Sequence, residues 1–300
     1  MVKIDGWHVK ICSVLFFFLR LIFSVEKRRR KAWCFLMTLS CSRHCYAEVV
    51  FRQDIQTWIA CHRNAFEFFG GVPDKIVMDN LKAAIIKVVL YEPLVNRTYR
   101  EFAAHYNFVI SPCLPGHPEH KGKVERGVPY VRNSFWKGSE FADRQQANIS
   151  LIDWIMNTAG LRIHGTTKQK PLLVFETIEK QCLQALPITA YILSLWKNAD
   201  VRRDCHVTIE GSFYSAPHHL RDEPVLIQST ETVVRIYHKN LLVATHLKTE
   251  PGQRRTINAH YPPHKVAYLE KTPQWCLARA KDNGPFTHQF VDVLLTRQHP

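Results

Sequence analysis

Apolar residues fill positions 11–25 (ICSVLFFFLRLIFSV) with almost no alternation, then resume across 32–51 as two runs divided by the polar SCSRHC. The first run reads as a buried strand or an aberrant N-terminal segment, and the divided pair predicts a β-hairpin within a sheet, both of its strands mostly buried. From Ile55 the period changes. Ile55, Trp58, Ile59, His62, Ala65, Phe66 and Phe69 recur at helical spacing behind Asp54, a residue suited to an N-cap, until Gly70-Gly71 stops the pattern. A short β-like KIVM at 75–78 ends at Asp79-Asn80. Helical patterning returns over 98–106, and a strand is expected at 108–111. A turn-rich PCLPGHPEHKG then leads into a helix expected from near Lys121, with Val124, Val128 and Val131 on one face. Residues 145–161 predict a further helix with Trp154 and Ile155 turned inward.

Past Lys197 the pattern shortens to β-like runs at 205–209, 225–228, 233–238 and 241–246, broken by EGS, RDEP and HKN. Strands at that spacing predict a small β-barrel. The element order before it predicts an α/β or α+β core. The chain therefore divides into an atypical segment at 1–30, a core at 31–182, a linker at 183–200, the β module at 201–250 and a helical tail at 251–300. The tail carries no evident end signal and reads as cut from something longer.

Charge narrows the partners. The formal net charge of +14 favours a polyanion, and nucleic acid is the commonest one, although basic proteins also bind lipid and other proteins. Basic residues run along the whole chain, with one dense cluster at 26–31 (EKRRRK). Nine cysteines form an odd count without the density of a disulfide scaffold, which fits a reducing cytoplasm. Cys41, His44, Cys45, Cys61 and His62 lack the second ligand pair of a structural zinc site and read as buried side chains. The 11–25 run is short for a bilayer and contains Arg20, so no membrane role is expected.

Asp79 follows a strand-like run directly, and Glu125 opens the helix after the Pro, Gly and His-rich loop. Carboxylates so placed can converge on oxygen-seeking divalent cations, and two such ions about 3.5–4 Å apart stabilise the attacking and leaving oxygens of a phosphodiester. On residue types alone, a solvated surface carboxylate is the better reading of either residue. The wording around them changes that balance: AFEFFGGVPDKIV at 65–77, MDNLKAAI at 78–85 and PCLPGHPEHKGKVERGVPYVRNSF at 112–135. Together with HGTT at 164–167, GSFYSAPHHL at 211–220 and AYLEKTPQWC at 267–276, these stretches resemble the IstA-like insertion-sequence transposases of the DDE superfamily, which includes retroviral integrases.

The resemblance implies an α/β chain with an RNase H-like mixed sheet flanked by helices, then a small β-barrel that helps hold DNA. It implies metal-dependent DNA cleavage and strand transfer, with Mg²⁺ as cofactor and Mn²⁺ able to substitute. Asp79 becomes the second catalytic carboxylate and Glu125 the third. Lys121, Lys123, Arg126 and His120 surround Glu125 and become candidate phosphate contacts, with Arg28, Arg29 and Arg30 as further candidates. Asn80 could support a ligand carboxylate or simply end the strand. DNA, a homo-oligomer on DNA and an ATPase helper protein are the implied partners, in the cytoplasm.

One part departs from the family pattern. A first carboxylate is expected at the end of the sheet's first strand, yet Asp5 is the only acidic residue before Glu26, and the 11–25 run follows it. Either Asp5 is that carboxylate and the run is an unusual second strand, or unrelated sequence replaces the true start. The second account predicts a catalytically defective DNA-binding remnant, with a sheet that lacks a central strand and is unstable.

Overall fold

A computed structural model describes residues 10–24, 28–78, 93–112, 127–269 and 271–297. The chain divides into two compact units, Met1–Leu193 and Ser194–Pro300.

In the first unit the apolar run becomes β1 (Ile11–Phe23), paired antiparallel with β2 (Arg28–Leu39), which pairs in turn with β3 (Cys45–Val50). Two short strands, β4 (Lys75–Met78) and β5 (Val109–Pro112), complete a five-stranded sheet in the order β3-β2-β1-β4-β5. The β1–β4 and β4–β5 pairs are parallel, so the sheet is mixed. The expected hairpin at 32–51 is thus two strands of a three-stranded meander, and the expected break between 30 and 31 falls inside β2. No central strand is missing. The 11–25 run fills that place, which removes the stated ground for an unstable sheet.

From Cys12 to Phe17 both faces of β1 are buried, which is why that stretch shows no period of two. Cys12, Val14 and Phe16 face a cluster built by helix α1 (Ile55–Phe69) and helix α2 (Pro93–His105), including Trp58, Phe66, Tyr99 and Phe102. Leu15, Phe17, Leu19 and Leu21 face the opposite way, toward Val131, Phe135, Ala147 and Leu151. That second layer comes from helix α3 (Gly127–Val131) and helix α4 (Arg144–Trp154), each of which widens into a π-helical turn, at Arg132–Trp136 and Ile155–Ala159. Helix α1 begins and ends as its sequence predicts. Asp54 accepts from the Thr57 amide, and Gly70 takes the left-handed conformation at φ 70°.

The Ser40–His44 turn between β2 and β3 is held by a buried carboxylate. Glu179, in a π-helical turn after helix α5 (Pro171–Val174), accepts from the amides of Cys41 at 3.0 Å and Ser42 at 2.9 Å. Two structural histidines lie nearby in the fold. His44 is wedged among Phe68, Phe69 and Phe175, and His62 bonds the Trp58 carbonyl through Nδ1 and the Tyr99 hydroxyl through Nε2. Among the described residues no group of three or more His, Cys, Asp and Glu is placed to hold a metal ion.

The second unit has its own core of Val207, Tyr214, Val225, Ile227, Val234 and Ile236, among others. Strand β6 (Leu195–Asp200) pairs with β9 (Pro224–Ser229), and β10 (Val233–His238) and β11 (Leu241–Leu247) complete a four-stranded sheet. Strands β7 (His206–Ile209), β8 (Ser212–Ser215) and β12 (Arg254–Arg255) form a separate three-stranded sheet. Among the described residues no ladder closes the two sheets into a barrel, and β6 occupies the end of the stretch expected to be linker. Helices α6 (Pro263–Leu269), α7 (Pro273–Asn283) and α8 (Pro285–Arg297) follow. No helix among the described residues is long and apolar enough to cross a membrane.

Burial holds the His62 imidazole down to about 3 and the His44 imidazole to about 4, against an ordinary 6.5. Below pH 6.5 the unfolded chain therefore binds protons that the folded one refuses, and stability falls as pH falls. Each of these side chains is expected to remove up to about 1.4 kcal/mol per pH unit across that window. Urea unfolding at pH 7.5, 6.0 and 5.0 tests this, with His62→Gln giving a shallower pH dependence than the unaltered chain; a flat profile would refute it.

Candidate functional site

Most sequence-predicted site residues fall outside the described residues: Asp5, Asp79, Asn80, His120, Lys121, Lys123, Glu125 and Arg126. The structure does describe the elements that lead to and from them. Strand β4 runs parallel to β1 and its last residue, Met78, pairs with Val14. Helix α3 begins at Gly127, two positions after Glu125, and a Cβ built on Gly127 would lie 3.4 Å from Leu36 Cδ2. Leu36 is the cross-strand partner of Leu15. Strand β4 thus ends at Met78 beside Val14, and helix α3 starts at Gly127 against Leu36, the cross-strand partner of Leu15.

Side-chain alternation fixes which part of β1 faces that junction. Val14 and Met78 both belong to the α1 and α2 face, so the next residue, Leu15, belongs to the α3 face. On that face β1 presents Ser13, Leu15 and Phe17, all buried, opposite Thr38, Leu36 and Cys34 of β2. None carries a charge. The Arg132 guanidinium lies 5.5 Å from the centre of the Phe17 ring and donates to the Phe18 carbonyl at 3.3 Å. Divalent magnesium and calcium are bound by oxygen ligands, chiefly carboxylates, carbonyls and water. A wall of leucine and phenylalanine with an arginine beside it offers two neutral hydroxyls, of Ser13 and Thr38, and no anionic oxygen, so the β1 side does not fit such an ion. Strand β1 itself begins at Ile11, after Asp5 in the chain.

Part of the basic run at 26–31 lies in a strand. Arg28, Arg29 and Arg30 all belong to β2 and pair with Phe23, Ile22 and Leu21. Arg30 lies over the Phe51 ring at 3.9 Å, which gives its guanidinium a packing role beside its charge. Arg20, across from Lys31, is exposed and lies 5.9 Å from the Phe18 ring, so β1 contributes a cation that the sequence reading passed over. An isolated arginine in an apolar run gave no signal of that exposure.

Two family models match this chain, and their order follows the two units. The Integrase core domain matches residues 20–118, and the Mu transposase, C-terminal domain matches residues 186–258. A candidate transposase of Mycobacterium tuberculosis (strain ATCC 25618 / H37Rv) is 40% identical over 265 residues, which cover 88% of this chain and 64% of that protein. The transposase for insertion sequence element IS21 of Pseudomonas aeruginosa is 32% identical over 241 residues, covering 79% of this chain and 62% of that one. By sequence, the chain is similar to insertion-sequence transposases, that of IS21 among them, and it spans less than two thirds of the length of these two relatives. Among solved structures, the HTLV-2 integrase catalytic core domain in complex with magnesium aligns with 55% of this chain and 95% of that one, at 13% identity and a TM-score of 0.39.

Arg30→Ala is expected to lower unfolding stability by about 1 kcal/mol through lost packing on Phe51, and to leave the salt dependence of DNA binding unchanged. Denaturant melts paired with DNA titrations at several salt concentrations check both halves. A weaker salt dependence would make Arg30 a phosphate contact instead.

Proposed function

We propose that the chain handles DNA as an integrase-type transposase of an insertion sequence, binding the element ends and the target. The observation that carries this reading is one chain in which an Integrase core domain precedes a Mu transposase C-terminal domain. The reaction of this class is metal-dependent strand cleavage followed by strand transfer, with Mg²⁺ as the cation and Mn²⁺ as a substitute. Asp79 and Glu125 are the carboxylates this reading assigns to it, with Asp5 the remaining acidic candidate of the N-terminal segment. Lys121, Lys123, Arg126 and His120 flank Glu125, where cations neutralise phosphates without reading sequence. The +14 net charge supports such a partner.

The division into a core at 31–182, a linker, a β module at 201–250 and a helical tail remains part of this reading. So does a barrel-like role for the β module in gripping DNA, supported by the exposed Arg254 and Arg255 on β12, a strand just past the expected end of that module. Assembly as a homo-oligomer on DNA, an ATPase helper and a cytoplasmic location complete it. A second reading, a DNA-binding remnant that no longer cuts or joins strands, is favoured by one feature, the apolar face that β1 turns toward α3.

DNA affinity of the full chain is expected to fall steeply as salt rises from about 50 to 200 mM, the mark of phosphate contacts releasing counterions. Lys121→Ala and Lys123→Ala should each weaken binding across sequences and reduce the slope of log affinity against log salt by about 1. Fluorescence anisotropy with an element-end duplex and a scrambled duplex measures this. Unchanged slopes in both variants would remove these lysines from the interface, and absence of DNA binding would overturn the proposed function.

A further inference from the structure

The outer strands of the three sheets differ in how they meet solvent. Strand β3 carries Glu48, β5 ends in Pro112, β6 carries Lys197 and Asp200, and β12 is Arg254-Arg255. Charge and proline at an edge discourage other chains from pairing with it. Strand β7 has neither, but its His206, Val207 and Ile209 are buried. Strand β11 (LLVATHL) also has neither, yet Leu241 is 71% exposed and Leu247 69%, with Leu242 and Thr245 exposed between them. Among the described residues it pairs on one side only, with β10.

We infer that β11 is an interface between two copies of this chain, paired edge to edge and antiparallel about a two-fold axis at Ala244. The inference rests on the homo-oligomer of the proposed function and names its surface. What singles out a second copy as the occupant is the strand's own sequence. In a two-fold contact the same patch serves both partners, so it has to complement itself. An axis at Ala244 sets Leu241 opposite Leu247 of the second copy, and Leu247 opposite Leu241, so the two most exposed apolar side chains of the strand cover each other. Continued past the strand ends, the same register lays the exposed Lys239 of one copy alongside Thr249 and the exposed Glu250 of the other. Lys248 is already held by Glu210 at 2.7 Å. Most of a chain with net charge +14 repels its own copy, whereas LLVATHL contains no Asp, Glu, Lys or Arg. His246 turns inward, where Nε2 bonds the Ser215 carbonyl. One bulge bends the strand at Val243, between the Ile236–Ala244 and Tyr237–Leu242 pairs. The contact therefore consists of two short ladders, Leu241–Leu242 of each copy against His246–Leu247 of the other.

Sedimentation velocity of the full chain over a concentration series, without DNA, tests this, with circular dichroism as the check on folding. A monomer–dimer equilibrium is expected. Leu241→Lys and Leu247→Glu should each raise the dimer dissociation constant about tenfold, because symmetry enters every lost Leu–Leu pair twice. The double variant L241K/L247E places opposite charges across the axis and should restore association, which damage to the fold would not do. Hydrogen exchange at the β11 amides should slow as concentration rises. If a single variant fails to fold, Thr245→Lys, exposed on the same strand, replaces it. A chain that stays monomeric at every concentration would overturn the inference. So would a dimer whose dissociation constant is the same in the folded variants, the result if the copies meet elsewhere. Anisotropy with an element-end duplex runs alongside: absence of DNA binding with the dimer intact strikes at the DNA reading, and DNA binding by a strict monomer strikes at the interface.

Discussion

The sheet of the first unit hangs on β1. It is hydrogen-bonded along its length to β2, antiparallel, and over its first four residues to β4, parallel. Without that strand, the β2–β3 pair and the β4–β5 pair would each present an open edge, and two short parallel strands do not hold together alone. Position in the middle of a sheet covered on both faces sets a strict requirement. Cys12, Val14 and Phe16 must fit the aromatic layer around Trp58 and Phe102, and Leu15, Phe17, Leu19 and Leu21 must fit the layer around Phe135 and Leu151. A run of Phe, Leu, Val and Ile satisfies both layers at once, with dispersion and area burial gained on each face.

That requirement explains what could be read from the sequence and what could not. Helix α1 was fully legible, because an N-cap, a 3.6-residue period and a terminal glycine all act locally. The strands at Lys75–Met78 and Val233–His238 were legible for the same reason, each a short β-rich run closed by turn residues. The place of β1 was not. A strand buried on both faces has no alternation, so nothing in its own residues says which neighbours it has or which side chains face which layer. Strand β6 hid for the opposite reason: LWKNAD lies half exposed on the rim of its sheet and carries the polarity of a linker. The π-helical turns in α3 and α4 widen patterns that still look α-helical to a period count.

The candidate site was legible as motifs, and its geometry was not. Asp79 and Glu125 stand out through their flanking sequence, and both lie outside the described residues. Leu15 stands out through nothing. Its place opposite Leu36, against the start of α3, appears only when the β1–β2 register and the approach of Gly127 to Leu36 are both known, because no local pattern encodes long-range pairing.

Burial limits what β1 can carry. A carboxylate buried beside Leu36 and Phe17 without a partner would cost several kcal/mol or take a strongly raised pKa. Glu179, a buried carboxylate of the same unit, meets that cost by accepting from the backbone amides of Cys41 and Ser42 in a turn whose N–H groups are free of a ladder. Strand β1 commits its backbone to the β2 and β4 ladders instead, so hydrocarbon is what its place in the middle of the sheet favours.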